Sequence, residues 1–94
     1  MIRRIVLVRS PQRERIADVL WGFRELHGAV PGVVRIETAV DHGGRALGYD
    51  RAVLLTFDGP AAIERWRDHP AHVRLRAELL DCAELLVFEH EVEE

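Results

Sequence analysis

The chain reads as an α+β protein of the ferredoxin-like kind, a β-α-β-β-α-β order folded around one antiparallel sheet. Three observations predict this. Four short segments rich in β-branched residues alternate in side-chain character with period two. Two other segments repeat apolar residues at helical spacing and each joins a pair of strands. The middle two strands are joined only by a polar loop that carries glycines.

The first strand is Ile2-Arg3-Arg4-Ile5-Val6-Leu7-Val8-Arg9, bounded by Ser10-Pro11. Arg3 and Arg4 interrupt its apolar run and no small-residue cleavage site follows, so it is a strand rather than a signal peptide. Ser10 is suited to cap a helix and Pro11 to open one. Ile16, Val19, Leu20, Phe23, Leu26 and His27 then form one apolar stripe, ended by Gly28 and by Pro31-Gly32. Trp21 falls on the opposite side of that helix and is expected to touch something other than its own sheet. Val33 to Val40 is the second strand, and Tyr49 to Phe57 the third, after the loop that starts at Asp41-His42-Gly43-Gly44. A helix covers Ala61 to about Arg67. A residue before proline is pushed out of the α region, so His69 breaks this helix and Pro70 opens a second piece running to about Leu80. Ala83 to Val92 is the fourth strand, and Glu93-Glu94 is a solvated tail.

Ninety-four residues at 48% hydrophobic and 31% charged make one globular domain spanning 1–94. No apolar run is long enough to cross a membrane. Cys82 is alone, which excludes an internal disulfide and fits a cytoplasmic setting. The net charge is −3 and the basic residues are scattered, which argues against a nucleic-acid partner. All thirteen basic residues are arginine, so chemistry through a lysine Schiff base is excluded.

Strand alternation divides the side chains between two faces. Ile2, Arg4, Val6 and Val8 share a face with Tyr49, Arg51, Val53, Leu55 and Phe57, and with Leu85, Val87 and Glu89. Ile5, Leu7, Ala52, Leu54, Leu86, Phe88, His90 and Val92 take the other. Both faces are substantially apolar, whereas a sheet with one helical layer normally shows water a polar face. A second copy of the chain is the expected cover, giving a homodimer through Ile5, Leu7, Leu54, Leu86 and Phe88.

Three signatures coincide with this order: the opening Met1-Ile2-Arg3-Arg4-Ile5-Val6-Leu7, the segment Gly48-Tyr49-Asp50 leading to Thr56-Phe57-Asp58, and His69-Pro70-Ala71-His72. Together with the closing Leu86-Val87-Phe88-Glu89, they make nearly the whole chain resemble the stress-responsive dimeric α+β barrel (Dabb) family. The resemblance implies a sheet-to-sheet dimer, the dimeric α/β barrel, with a small-molecule cavity between each sheet and its own helices. Members of the family with known activity include plant and microbial polyketide cyclases, in which the second histidine of the motif acts in acid/base chemistry, and most members have no established reaction. This chain departs from the cyclase-type members at three positions. It has Arg4 and Arg51 where they carry histidines, and Trp66 where they carry a tyrosine.

His72 is the foremost catalytic candidate. With Pro70 as the first helical residue it sits in the first turn, where the helix dipole disfavours the imidazolium and leaves a neutral base. Glu89 is its expected orienting partner. The bland reading is that His72 only packs the helix junction. His69 reads as structural, and no Cys or carboxylate cluster of familiar spacing accompanies the two histidines, so no metal or other cofactor is expected. A cation held by loop carbonyls at a dimer interface stays open.

Trp66, Phe23, Val6 and Val53 are expected to line the cavity, although core filling alone would account for Phe23. Arg4 and Arg51 share the apolar inner face on adjacent strands. Either they hold a carboxylate or phosphate between two guanidinium forks, or each pairs with an internal acid such as Glu89 or snorkels to the rim. Two functions follow. The first is a lyase or cyclase that moves protons through His72 on a small apolar, oxygenated substrate. The alternative is a non-catalytic stress-responsive dimer that binds a small apolar or aromatic carboxylate ligand.

Overall fold

A computed structural model describes residues 1–92, so the expected Glu93-Glu94 tail lies outside the described residues. The elements run β1 (Ile2–Arg9), α1 (Arg13–Glu25), β2 (Val33–Val40), β3 (Arg51–Phe57), α2 (Pro60–Asp68), α3 (Pro70–Cys82) and β4 (Glu84–Glu91). The four strands form one sheet in the order β2-β3-β1-β4, with every neighbouring pair antiparallel. This is the ferredoxin-like arrangement. Its helical layer covers one face, where Val6, Val8, Val53, Leu55 and Phe57 are buried against Ile16, Val19, Leu20 and Phe23 of α1, Trp66 of α2, and Leu75 and Leu79 of α3. Among the described residues no helix is long and apolar enough to cross a membrane.

The starts of α1 and β3 differ from those expected, the first because a tertiary contact outcompetes a local one and the second because a tight turn precedes the strand. α1 begins at Arg13 with no side-chain cap, although Ser10-Pro11 looked like its start. The buried Ser10 hydroxyl instead donates to the Cys82 carbonyl at 2.5 Å and accepts from the Gln12 N–H at 3.1 Å. It thereby satisfies the last turn of α3, seventy-two residues away. β3 begins at Arg51 rather than Tyr49, because Gly48 takes φ +87° and the Tyr49 N–H closes a turn onto the Ala46 carbonyl at 2.9 Å. The Tyr49 ring then lies under the Arg9 guanidinium, 4.5 Å from its centroid.

One glycine is required on geometric grounds for the unstrained fold. Gly32 has φ +88°, and a Cβ there would stand 2.7 Å from Ala62 Cβ and 2.8 Å from an Asp58 carboxylate oxygen. Its carbonyl accepts from the Asp58 N–H at 2.8 Å, clamping the loop before β2 onto the start of α2.

The outer face of the sheet is bare. Ile5 stands between Leu54 on β3 and Phe88 on β4, and Leu7 between Ala52 and Leu86. Leu86 is 52% exposed and Phe88 63% exposed. Trp21 is likewise exposed, but it lines a cavity together with Thr38, Val40 and Arg51 of its own sheet, and the Arg24 guanidinium lies 4.7 Å from its ring centroid.

Candidate functional site

The site is built at the junction of α2 and α3. His69 is extended (φ −68°, ψ 126°), as a residue before proline must be, and Pro70 begins α3. Pro70 has no N–H, so the Trp66 carbonyl lacks the partner a continuous helix would provide and accepts from the His69 N–H at 3.3 Å. The Ala71 N–H is likewise diverted to His69 Nδ1 at 3.2 Å. His69 is therefore a capping residue, in line with its structural reading. The diversion also leaves the Arg67 carbonyl without its Ala71 donor.

His72 occupies that vacancy. Its Nδ1 lies 3.4 Å from the Arg67 carbonyl oxygen. A carbonyl can only accept, so this contact assigns the proton to Nδ1 and leaves the lone pair on Nε2. The imidazole is buried, 4.4 Å from the Trp66 ring centroid at 32° and 6.2 Å from that of Phe23, edge-on at 64°. Burial lowers its pKa from the ordinary value. The carbonyls of Arg67 and Trp66 oppose this shift, while the positive charges of Arg76 and Arg4 add to it. His72 is thus neutral at neutral pH, with burial the largest cause.

His72 faces a cavity of about 360 Å³ between the sheet and the helices. Val6, Val53 and Leu55 line it from the sheet, and Phe23, Ile63, Trp66 and Leu79 from the helices. Leu85 and Val87 of β4 also line it, and Val87 is 59% exposed, so the cavity opens at this edge strand. Arg4, Arg67 and Arg76 supply its charge.

Two expected relationships are not the ones that form. Glu89 does not orient His72. It sits directly across from Arg4 in the β1–β4 register, accepts from Arg4 Nε at 2.9 Å and lies 2.8 Å from Nη2. The orienting acceptor is the Arg67 carbonyl. Arg4 and Arg51 are also not side by side. Arg4 lies opposite Leu55 and Arg51 opposite Val8, which places them four positions apart along the sheet, roughly 13 Å. Period-two alternation gave both the same face, as expected, but the face carries no information about register. Arg51 lines a different cavity altogether.

Arg76, Leu79, Leu85 and Val87 were not singled out from the sequence. Arg76 had a usable signal, since it follows His72 by four residues on one helix and therefore shares its face. Among the described residues no three His, Cys, Asp or Glu side chains gather as a metal site.

A family model for the stress responsive A/B barrel domain matches residues 2–92. The chain belongs to this family. Several solved structures share its fold. A dimeric ferredoxin-like protein of unknown function from Jannaschia sp. CCS1 superposes with a TM-score of 0.87 at 21% identity, covering 97% of this chain and 98% of that one. A hydroxynitrile lyase from Passiflora edulis gives 0.85 at 21% identity, covering 99% and 94%. A dabb family protein with a ferredoxin-like fold from Mesorhizobium loti gives 0.79 at 20% identity, covering 99% and 97%. No curated protein sequence matches the chain.

Proposed function

We propose that this member of the stress responsive A/B barrel family is a cytoplasmic homodimer in which His72 acts as a general base on a small apolar, oxygenated substrate held in the helix–sheet cavity. The reaction class is lyase- or cyclase-type proton transfer. The observation that carries it is the state of His72: neutral, fixed through Nδ1 by a backbone carbonyl, and lining an open, mostly apolar cavity. In the proposed step Nε2 takes a proton from substrate carbon or oxygen, and the Nδ1–H stays on the Arg67 carbonyl as the ring becomes an imidazolium. Arg76, which carries no ion pair among the described residues, faces the negative charge left on substrate oxygen. Support for the lyase class comes from the hydroxynitrile lyase that shares the fold. Support for the dimer comes from the bare Leu86 and Phe88 and from neighbours described as dimeric.

One observation favours the non-catalytic reading. The Arg4–Glu89 pair closes on itself, so the carboxylate expected to orient His72 is engaged by a guanidinium. The two readings separate in one experiment. Ring opening of a benzisoxazole requires only a base in an apolar cavity, and cleavage of an aromatic cyanohydrin tests the lyase chemistry directly. Saturable turnover that drops about 100-fold or more in His72→Gln is expected for a general base. Equal rates for wild type and variant, with an apolar fluorophore still bound, would establish binding without catalysis.

A further inference from the structure

We infer that the substrate held beside His72 is a small organic acid with an apolar body, whose carboxylate pairs with Arg76 at the rim of the same cavity and supplies the counter-ion that the fold withholds from the imidazole. The inference rests on the general-base reading of His72 and names the substrate class for it.

His72 presents an unsatisfied atom to the cavity. Its imidazole is buried and bonds the protein only through Nδ1, to the Arg67 carbonyl. Among the described residues the only side-chain atom both sealed from solvent and unpartnered is Arg51 Nε, on a different cavity. Nε2 of His72 has no partner either, so it keeps accessible surface, and what it meets there is the cavity. A polar atom in so enclosed a place is normally satisfied, by water or by a ligand.

The charged groups facing the imidazole are Arg4 from β1, Arg67 from α2 and Arg76 from α3. The parts of α1, β3 and β4 that line the cavity are apolar. Arg4 is neutralised by Glu89 at 2.8 Å, and Arg67 by Asp68 at 3.2 Å. Arg76 alone has no ion pair among the described residues. After burial and the two opposing carbonyls, it is the strongest charge acting on His72, and it disfavours the imidazolium. The two side chains share one face of α3, four residues and about 6 Å apart along its axis. A small molecule touching Nε2 therefore reaches the Arg76 guanidinium.

One unmatched positive charge is answered by a monoanion. A carboxylate matches one edge of a guanidinium and leaves its remaining N–H donors for the oxygen that gains charge in the reaction. The walls made by Val6, Val53, Trp66 and Leu79 suit a hydrocarbon or aromatic body, which inorganic phosphate lacks. An anion beside an imidazole favours the protonated ring. The bound acid thus makes His72 a stronger base, the help that Glu89 does not give because Arg4 holds it. By reciprocity, the enzyme protonated at His72 holds the acid more tightly.

The test uses the full chain. Ring resonances of His72, assigned by their loss in His72→Gln, are followed against pH with saturating benzoate, benzamide or inorganic phosphate, and the Trp66 indole N–H reports occupancy of the cavity. Benzoate should bind at least 10-fold tighter than benzamide or phosphate and move the His72 midpoint to higher pH. Arg76→Gln should keep the wild-type melting temperature, weaken benzoate at least 10-fold and abolish the movement, and Arg76→Lys should restore part of both. Benzamide or phosphate bound as tightly as benzoate, an unmoved midpoint at saturation, or undiminished benzoate binding in Arg76→Gln would each overturn the inference. Turnover of an uncharged benzisoxazole reads the base separately. Benzoate coupled to His72 without turnover would keep the acid site and remove the base. Turnover with no preference for benzoate would do the reverse.

Discussion

Truncating Phe88 to alanine should dissolve the proposed dimer while leaving the protomer folded. Phe88 is 63% exposed on the outer face of β4 and is not part of the buried core. Aromatic side chains bury about 150–250 Å² when enclosed, so roughly 120 Å² of Phe88 remains to be covered. At about 25 cal/mol per Å², covering it contributes around 3 kcal/mol per protomer. A two-fold interface counts each residue twice, which gives about 6 kcal/mol for the pair. Alanine retains its Cβ and neighbouring side chains relax into the gap, so a loss of about 4 kcal/mol is the working expectation, or roughly a 1000-fold rise in the dimer dissociation constant. Sedimentation velocity over a wide concentration range reads that constant directly. Leu54→Glu, which puts an unpaired carboxylate beside Ile5 at the centre of the same patch, should give monomer or aggregate at every concentration. If Phe88→Ala shifts the constant by less than 10-fold and Leu54→Glu stays dimeric, the sheet faces are not the interface.

Two further outcomes follow from the interior. The His72 pKa is lowered in the folded chain, so between that value and its ordinary value the unfolded chain binds more protons. Stability should therefore be undiminished by this residue at neutral pH and should decline as pH falls below about 6.5. Urea titrations at several pH values should show that decline flattened in His72→Gln, and an unchanged slope would contradict a buried neutral imidazole. Gly32→Ala should cost about 2–3 kcal/mol in the same assay, combining left-handed backbone strain with the clash against Ala62 and Asp58. A loss below about 0.5 kcal/mol would mean the loop moves freely off α2.

The strands, their faces and the helix break at His69 were legible because each depends on local rules: side-chain alternation, apolar spacing and the geometry of a residue before proline. The position of His72 in a first turn followed from Pro70 alone. What was not legible depends on register or on distant partners. Ser10 has the chemistry of a helix cap, and nothing near it in sequence announces that the Cys82 carbonyl will claim its hydroxyl. Arg4 and Arg51 carry the same face signature, yet the pairing of β1 with β3 sends them to different cavities. Glu89 was correctly placed on the inner face, but its cross-strand neighbour Arg4 reaches it first. Arg76 was missed for a simpler reason, since an exposed-looking arginine on a helix attracts no notice until its neighbour four residues back is known to matter.

The interrupted helix has a consequence for proton inventory. Histidine bases are commonly steadied by a carboxylate, and such a pair takes up protons in two coupled steps. Here the steadying group is the Arg67 peptide carbonyl, set free because His69 claims the Ala71 amide. A peptide oxygen neither gains nor loses a proton in the biological range, so the imidazole titrates alone. Any rate that depends on His72 should then rise with pH along a single sigmoid to a plateau. A descending limb would have to come from the substrate or from another part of the protein.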